Sequence, residues 1–245
     1  MPAITLRNVA KRFTLYHERP HSFQELLLHL LHRRNGGREE FWALRDVSFE
    51  VDDGETLGLI GENGSGKSTL LKLISRIIQP TSGHLTVKGR VAALIELGAG
   101  FHPDLTGREN IFLLGSIMGI STKVMRRRLD DIVGFAELEQ FIDTPIKHYS
   151  SGMATRLGFA VAIHLDADIL LIDEVLAVGD LHFQEKCFQT MADFQRRGIT
   201  MLMVSHDLSL ITRFCHRALL MDHGRAVASG SPHEIVQQYT NLALA

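Results

Sequence analysis

The 245-residue sequence contains only two cysteines, Cys187 and Cys215, far apart and outside any CxxC spacing. That scarcity excludes a disulfide framework and a thiolate metal site, and it makes a reducing compartment the default. No apolar run approaches the roughly 18 to 20 residues that cross a bilayer, and the start, Met-Pro-Ala-Ile-Thr-Leu-Arg, lacks the apolar stretch of a secretory leader. If the protein works at a membrane, another subunit must cross it. Nor does one sign of charge dominate. The 26 Lys and Arg stand against 28 Asp and Glu, a net of −2, which argues against a general nucleic-acid binder. Internal repeats and low-complexity segments are lacking, and the longest like-charge run, Arg126-Arg127-Arg128, reads as a solvated helix face. What is present is globular composition, 45% hydrophobic and 22% charged with 21 glycines, at a length that suits one main core with an inserted subdomain.

The pattern opens with sheet. Residues 3–9 and 42–51 read as strands, the second alternating through Trp42, Leu44, Val47, Phe49 and Val51 to a turn at Asp52-Asp53-Gly54. Between them, Ser22-Phe-Gln-Glu25 is a capping box, followed by Phe23, Leu26, Leu27, Leu30 and Leu31 at helical spacing. An inserted amphipathic helix is predicted within 17–40. Its apolar stripe must be covered, either by its own domain or by a membrane subunit or surface. From Glu55 strand and helix alternate: a strand at 56–60, a Gly-rich loop, a helix from Lys67, and short strands near 85–87 and 91–95. A block with only helical patterns follows from about 106 to 165, after which strands return at 169–172, 200–204 and 218–221. The fold class is therefore α/β, with core residues 1–100 and 166–245 interrupted by a helical subdomain over 101–165. Ser231-Pro232-His233-Glu234 starts a last helix, to about Tyr239.

The chemistry concentrates in Gly61-Glu62-Asn63-Gly64-Ser65-Gly66-Lys67-Ser68, a GxxxxGK[ST] loop between a strand and a helix. Its glycines permit positive φ and turn successive N–H groups toward a phosphate, to which the helix N-terminus adds partial positive charge. Lys67 reaches the β- and γ-phosphates in this reading, Ser68 offers its hydroxyl to Mg²⁺ and Thr69 contacts the α-phosphate. Ile169-Leu-Leu-Ile172 is an apolar strand ending in Asp173 and Glu174, one carboxylate for magnesium and one as general base. A guanine-reading Asn-Lys-x-Asp motif is missing. Tyr149-Ser150-Ser151-Gly152-Met153 opens another helix with small polar residues, a second place suited to an anion.

Together these motifs resemble the ATP-binding-cassette family, whose Leu-Ser-Gly-Gly-Gln signature becomes Tyr149-Ser-Ser-Gly-Met153 here. The resemblance implies a P-loop NTPase (RecA-like) core with an N-terminal antiparallel β-subdomain and the helical insert. It also implies a homodimer in which Ser150, Ser151 and Gly152 reach the ATP held by the other subunit. Val204-Ser-His206-Asp207 looks like the family's switch histidine, acting on the γ-phosphate and water, and Gly179-Asp180 like its dimer-contacting loop. Glu96 stands where the family has a glutamine that helps hold the metal. Phe13 or Tyr16 is the aromatic that stacks on adenine, and a core role for Phe13 is equally open.

Finer features, Glu96-Leu-Gly-Ala-Gly-Phe101, the run from Asp173 to Asp180 and the early helix, are similar to the ATP-binding subunits of bacterial O-antigen, capsule and teichoic-acid exporters. That resemblance implies ATP and Mg²⁺ as cofactors, a polytopic permease as partner, a lipid-linked glycan as cargo and a place on the cytoplasmic face of the membrane. Some members carry a further C-terminal glycan-recognising domain, and this chain stops soon after its last ATPase helix. Three rivals remain: another transporter's ATPase, a soluble cassette protein acting on DNA or ribosomes, and a P-loop phosphotransferase. The long coiled-coil arms or second cassette usual in the soluble class are not seen.

Overall fold

A computed structural model describes residues 1–16, 38–94, 100–173 and 179–243. The elements in chain order are β1 (Pro2–Tyr16), β2 (Arg38–Asp52), β3 (Thr56–Ile60), α1 (Lys67–Ile74), β4 (Ser82–Val87) and β5 (Val91–Leu94). The helical subdomain holds α2 (Gly107–Ile117), α3 (Thr122–Ala136), a single 3₁₀ turn (Ile146–His148) and α4 (Ser151–Ile163). Then come β6 (Ile169–Asp173), α5 (Leu181–Arg196), β7 (Thr200–Val204), α6 (Leu208–Phe214), β8 (Arg217–Asp222), β9 (Arg225–Gly230) and α7 (Pro232–Ala243).

Two sheets result. A three-stranded antiparallel sheet has the order β2-β1-β4, and a six-stranded sheet the order β5-β6-β7-β3-β8-β9. Its first five strands run parallel and β9 pairs antiparallel to β8. The fully buried run of β3 and β7 suits parallel strands covered on both faces. One face meets the antiparallel sheet through α1: Leu70, Leu71 and Leu73 pack with Ile4, Leu6, Leu44, Leu59 and Leu171. The other face is covered by Phe159 of α4, Phe183 and Met191 of α5, and Ile211 of α6. A third cluster, with Ile111, Met125, Ile132 and Leu157, holds the helical subdomain together. The α/β arrangement expected from the sequence, with its N-terminal antiparallel sheet and helical insert, is the architecture found.

Differences lie at the edges. β1 and β2 run on as a ribbon past the expected strand ends, pairing Thr14 with Glu40 and Tyr16 with Arg38. Residues 38–40 are therefore strand, and the rest of the expected insert, 17–37, lies outside the described residues. β9 has no counterpart in the sequence reading, because its alternation is of small and half-exposed side chains rather than apolar ones. α7 starts as expected, with Ser231 and Glu234 exchanging side-chain to backbone bonds. Both cysteines are free, and burial pushes each thiol up to about 12, so they stay protonated near neutrality.

Candidate functional site

The site is assembled at the carboxyl ends of three neighbouring parallel strands, where an open α/β sheet leaves its crevice. Asp173 at the end of β6 pairs with Val204 of β7, and Val204 pairs with Leu59 of β3. The strand ends therefore stand level with one another, bringing together Gly61–Gly66, His206 and Asp173. Glu174, with 175–178, lies outside the described residues, as does Glu96.

The loop after β3 is shaped by its walls. Gly61 has φ 152°, and a Cβ there would stand 2.1 Å from the carbonyl oxygen of Met221. Gly66 has φ 104°, and its Cβ would meet Leu44 Cδ2 at 2.7 Å and the Ala43 carbonyl at 2.8 Å. β2 is thus one wall and the turn between β8 and β9 another. That turn is tied in through both peptide groups of Gly224: its N–H donates to the Ser65 carbonyl at 3.0 Å, and Arg45 N–H donates to its carbonyl at 2.7 Å. Ala43, Leu44 and Gly224 belong to the cradle although no motif marks them. Gly66→Ala should cost about 1–3 kcal/mol in backbone strain, since it also forces a side chain against backbone. A lowered Tm together with weaker nucleotide binding is the expected measurement.

Gly66 caps α1 without a side-chain hydrogen bond, and the first turn carries no acidic residue. The leading N–H groups of the helix are thus left for an external anion. Ser65 Oγ is buried without a hydrogen-bond partner among the described residues, an orphan that a phosphate oxygen satisfies. The Lys67 side chain is buried, and Nζ donates to the carbonyls of Gly61 at 2.7 Å and Glu62 at 2.8 Å. The ammonium is anchored on the loop it serves. Glu62, Asn63, Gly64 and Ser68 face solvent, and Thr69 is half-buried.

His206 is exposed on a short connection held by its neighbours. Asp207 N–H donates to Ser205 Oγ at 3.0 Å, while Asp207 Oδ1 accepts from Ser209 Oγ at 2.6 Å and from Ser209 N–H at 2.9 Å, capping α6. The Ser209 hydroxyl and amide hold the Asp207 carboxyl below the usual carboxylate range. The backbone around His206 is fixed by Ser205, Asp207 and Ser209.

Ser150 stands at the N-cap of α4, its Oγ accepting from Met153 N–H at 3.2 Å. Ser151 is exposed and Gly152 half-buried, and among the described residues a Cβ on Gly152 would find only Ser150 Oγ, at 3.8 Å. Asp180 caps α5, accepting from Phe183 N–H at 2.9 Å and, on its other oxygen, from Arg156 Nη2 at 2.6 Å. The Phe183 amide and then the Arg156 charge hold its carboxyl below the ordinary range. Phe13 is 37% exposed and pairs across the ribbon with Phe41, and Lys11 Nζ lies 5.2 Å from its ring. The pairing makes it a sheet-surface residue rather than a core one. Tyr16 ends β1 opposite Arg38.

The description "ABC transporter" belongs to the family model that matches residues 44–177, which is more than half of the chain and includes the phosphate loop, Ser150 and Asp173. The chain belongs to the ABC transporter family. It is accordingly an ATP-hydrolysing enzyme. This ABC cassette is 46% identical over 244 residues to the "O-antigen export system ATP-binding protein RfbB" of Klebsiella pneumoniae, a match covering 97% of each chain. It is 48% identical to the protein of that name from Myxococcus xanthus, covering 98% of this cassette and 56% of that chain. With the "Teichoic acids export ATP-binding protein TagH" of Listeria monocytogenes it shares 41% over 236 residues, covering 96% and 69%. Among solved structures, the ATP-binding cassette MJ0796 bound to ADP and Pi superposes with a TM-score of 0.75 at 23% identity, over 94% of this chain and 98% of that one. That likeness carries the fold.

Proposed function

We propose that this cassette is the ATPase subunit that drives a lipid-linked polysaccharide, of the O-antigen, capsule or teichoic-acid class, across the cytoplasmic membrane. It works as a homodimer on the cytoplasmic face, docked to a polytopic permease. The observation that carries this reading is similarity along nearly the whole chain to proteins named for O-antigen and teichoic-acid export. No helix among the described residues is long and apolar enough to cross a membrane, which is consistent with a separate spanning partner.

The residues suit the chemistry. The loop 61–66 wraps the phosphates, Lys67 neutralises the β- and γ-phosphates, and Thr69 contacts the α-phosphate. Phe13, 37% exposed on the ribbon, or Tyr16 at its end stacks on the adenine. Ser68 and Asp173 supply hard oxygen donors of the kind magnesium accepts while keeping part of its water shell, and Glu96 is the third candidate ligand. The ion, when bound, neutralises charge on the β- and γ-phosphate oxygens. Glu174 takes a proton from the attacking water, and His206 donates to the γ-phosphate and orients that water or Glu174. The Ser150–Gly152 turn and Asp180 complete the site of the other protomer, so closure of the dimer joins two half-sites. The phosphate loop lies on the core and the Ser150 turn on the helical subdomain, a separation that favours pairing between chains.

Extraction in mild detergent should bring down a polytopic membrane protein with this cassette, carrying a lipid-linked glycan. The apolar stripe at Leu27 and Leu31, outside the described residues, is the docking candidate. Charged replacements at both should leave ATP binding unchanged and abolish export. A partner that imports solutes or exports drugs, or normal export by the double variant, would overturn the respective part of the reading.

A further inference from the structure

Arg156 sits on α4 about one and a half turns beyond the Ser150–Gly152 turn. Its side chain is only 19% exposed, and its guanidinium lies over the Phe183 ring at 4.9 Å. Nη2 donates to Asp180 Oδ2 at 2.6 Å and Nη1 to Glu137 Oε2 at 3.3 Å. Glu137, the residue that ends α3 with φ 59°, also faces Lys186 Nζ at 3.3 Å and His182 Nδ1 at 3.7 Å. One planar fork therefore joins three elements, with the shortest bond going to the cap of α5. Phe183, in the first turn of that helix, is fully buried and belongs to the same apolar cluster as Leu170 and Ile172 of β6. α5 and β6 are thus parts of one packed body, and β6 ends in Asp173.

This bears on the two nucleotides of the dimer and rests on the proposed arrangement in which the Ser150 turn serves the other protomer's ATP. In each chain that turn attends one nucleotide while the end of β6 attends the other. Down α4 and back along β6 the covalent route between them is long. The Arg156–Asp180 bond closes it directly. We propose that Arg156 is a positioning residue that couples the two ATP sites, holding the Ser150 turn at a fixed height against the α5–β6 body through Asp180. Closure on one nucleotide then sets the acidic strand end at the other. Lysine cannot replace it fully, since a single ammonium does not serve Asp180 and Glu137 in one plane above an aromatic ring.

Asp180→Asn keeps a good helix cap while losing the charged bond to Arg156, and Arg156→Gln removes the same bond with the Asp180 carboxylate intact at the other protomer's site. In the full chain with Mg-ATP, Asp180→Asn and Arg156→Gln should each lower kcat about tenfold and turn a sigmoidal dependence on ATP hyperbolic, in the usual range for coupled sites. Binding of a fluorescent ATP analogue to the protomer should stay within about twofold, since the phosphate loop is untouched. The double variant should be no worse than either single one. Glu137→Gln, which weakens the contacts of α3 with Arg156, Lys186 and His182 but leaves the Arg156–Asp180 bond in place, should keep both kcat and the sigmoidal curve. Wild-type kinetics in Arg156→Gln, additive losses in the double variant, or an equal loss in Glu137→Gln would each overturn the coupling and leave Arg156 an anchor for the helical subdomain. Gly152→Asp separates this from the underlying arrangement. If it abolishes hydrolysis while Arg156→Gln behaves as wild type, only the coupling falls; wild-type hydrolysis in Gly152→Asp removes the shared site and the coupling with it.

Discussion

Lys67→Ala is expected to lower ATP turnover on the order of 10²–10³-fold, the scale on which a single preorganised donor to developing charge counts in catalysis. Nucleotide affinity falls as well, because charge-assisted hydrogen bonds to phosphate are worth about 1.5–3 kcal/mol each. The structure shows how the ammonium is held in place. The ammonium is buried and donates to carbonyls of the loop itself, those of Gly61 and Glu62. These bonds hold it on the loop. Alanine leaves those two carbonyls without that donor and opens a small space under the loop, so the remaining N–H groups hold phosphate less firmly. Equilibrium titration with ATP and a phosphate-release assay check the two effects separately, and unchanged turnover would overturn the assignment.

The second large effect has the opposite signature on binding. Glu174→Gln keeps the size of the side chain and removes its basicity, so hydrolysis should fall about 10²–10⁴-fold while ATP still binds. A dimer that closes on ATP and reopens only after hydrolysis is then trapped. In saturating Mg-ATP this variant should elute as a stable dimer, whereas Lys67→Ala remains a monomer under the same conditions. Light scattering on the two variants side by side distinguishes failure to bind from failure to cleave. Fast turnover by a monomeric Glu174→Gln protein would contradict the scheme.

The contrast between these variants follows what a linear sequence can carry. The phosphate loop, the two acids after β6 and the small polar start of α4 are legible because each is contiguous and its function depends on its own backbone or neighbouring side chains. The parallel core is legible for the same reason, since strands buried on both faces are unbroken apolar runs. What escapes is contact at long separation. Gly66 is marked as a loop glycine, yet the reason nothing larger fits is supplied by Ala43 and Leu44, which sit in another sheet. Arg156 carries no signal because its partners, Glu137 and Asp180, lie on two other elements. β9 is invisible because one of its faces is open to water and the other carries small side chains.

The wall that Gly224 provides, through its bonds to Ser65 and Arg45, has a consequence for synthesis. A chain made from its N-terminus acquires the phosphate loop early, together with the helix that follows it. That loop stays unbuttressed until the turn between the last two strands has been translated and has folded back against it. Fragments released prematurely by the ribosome lack that buttress, so an incomplete subunit should hold nucleotide less firmly than the full chain.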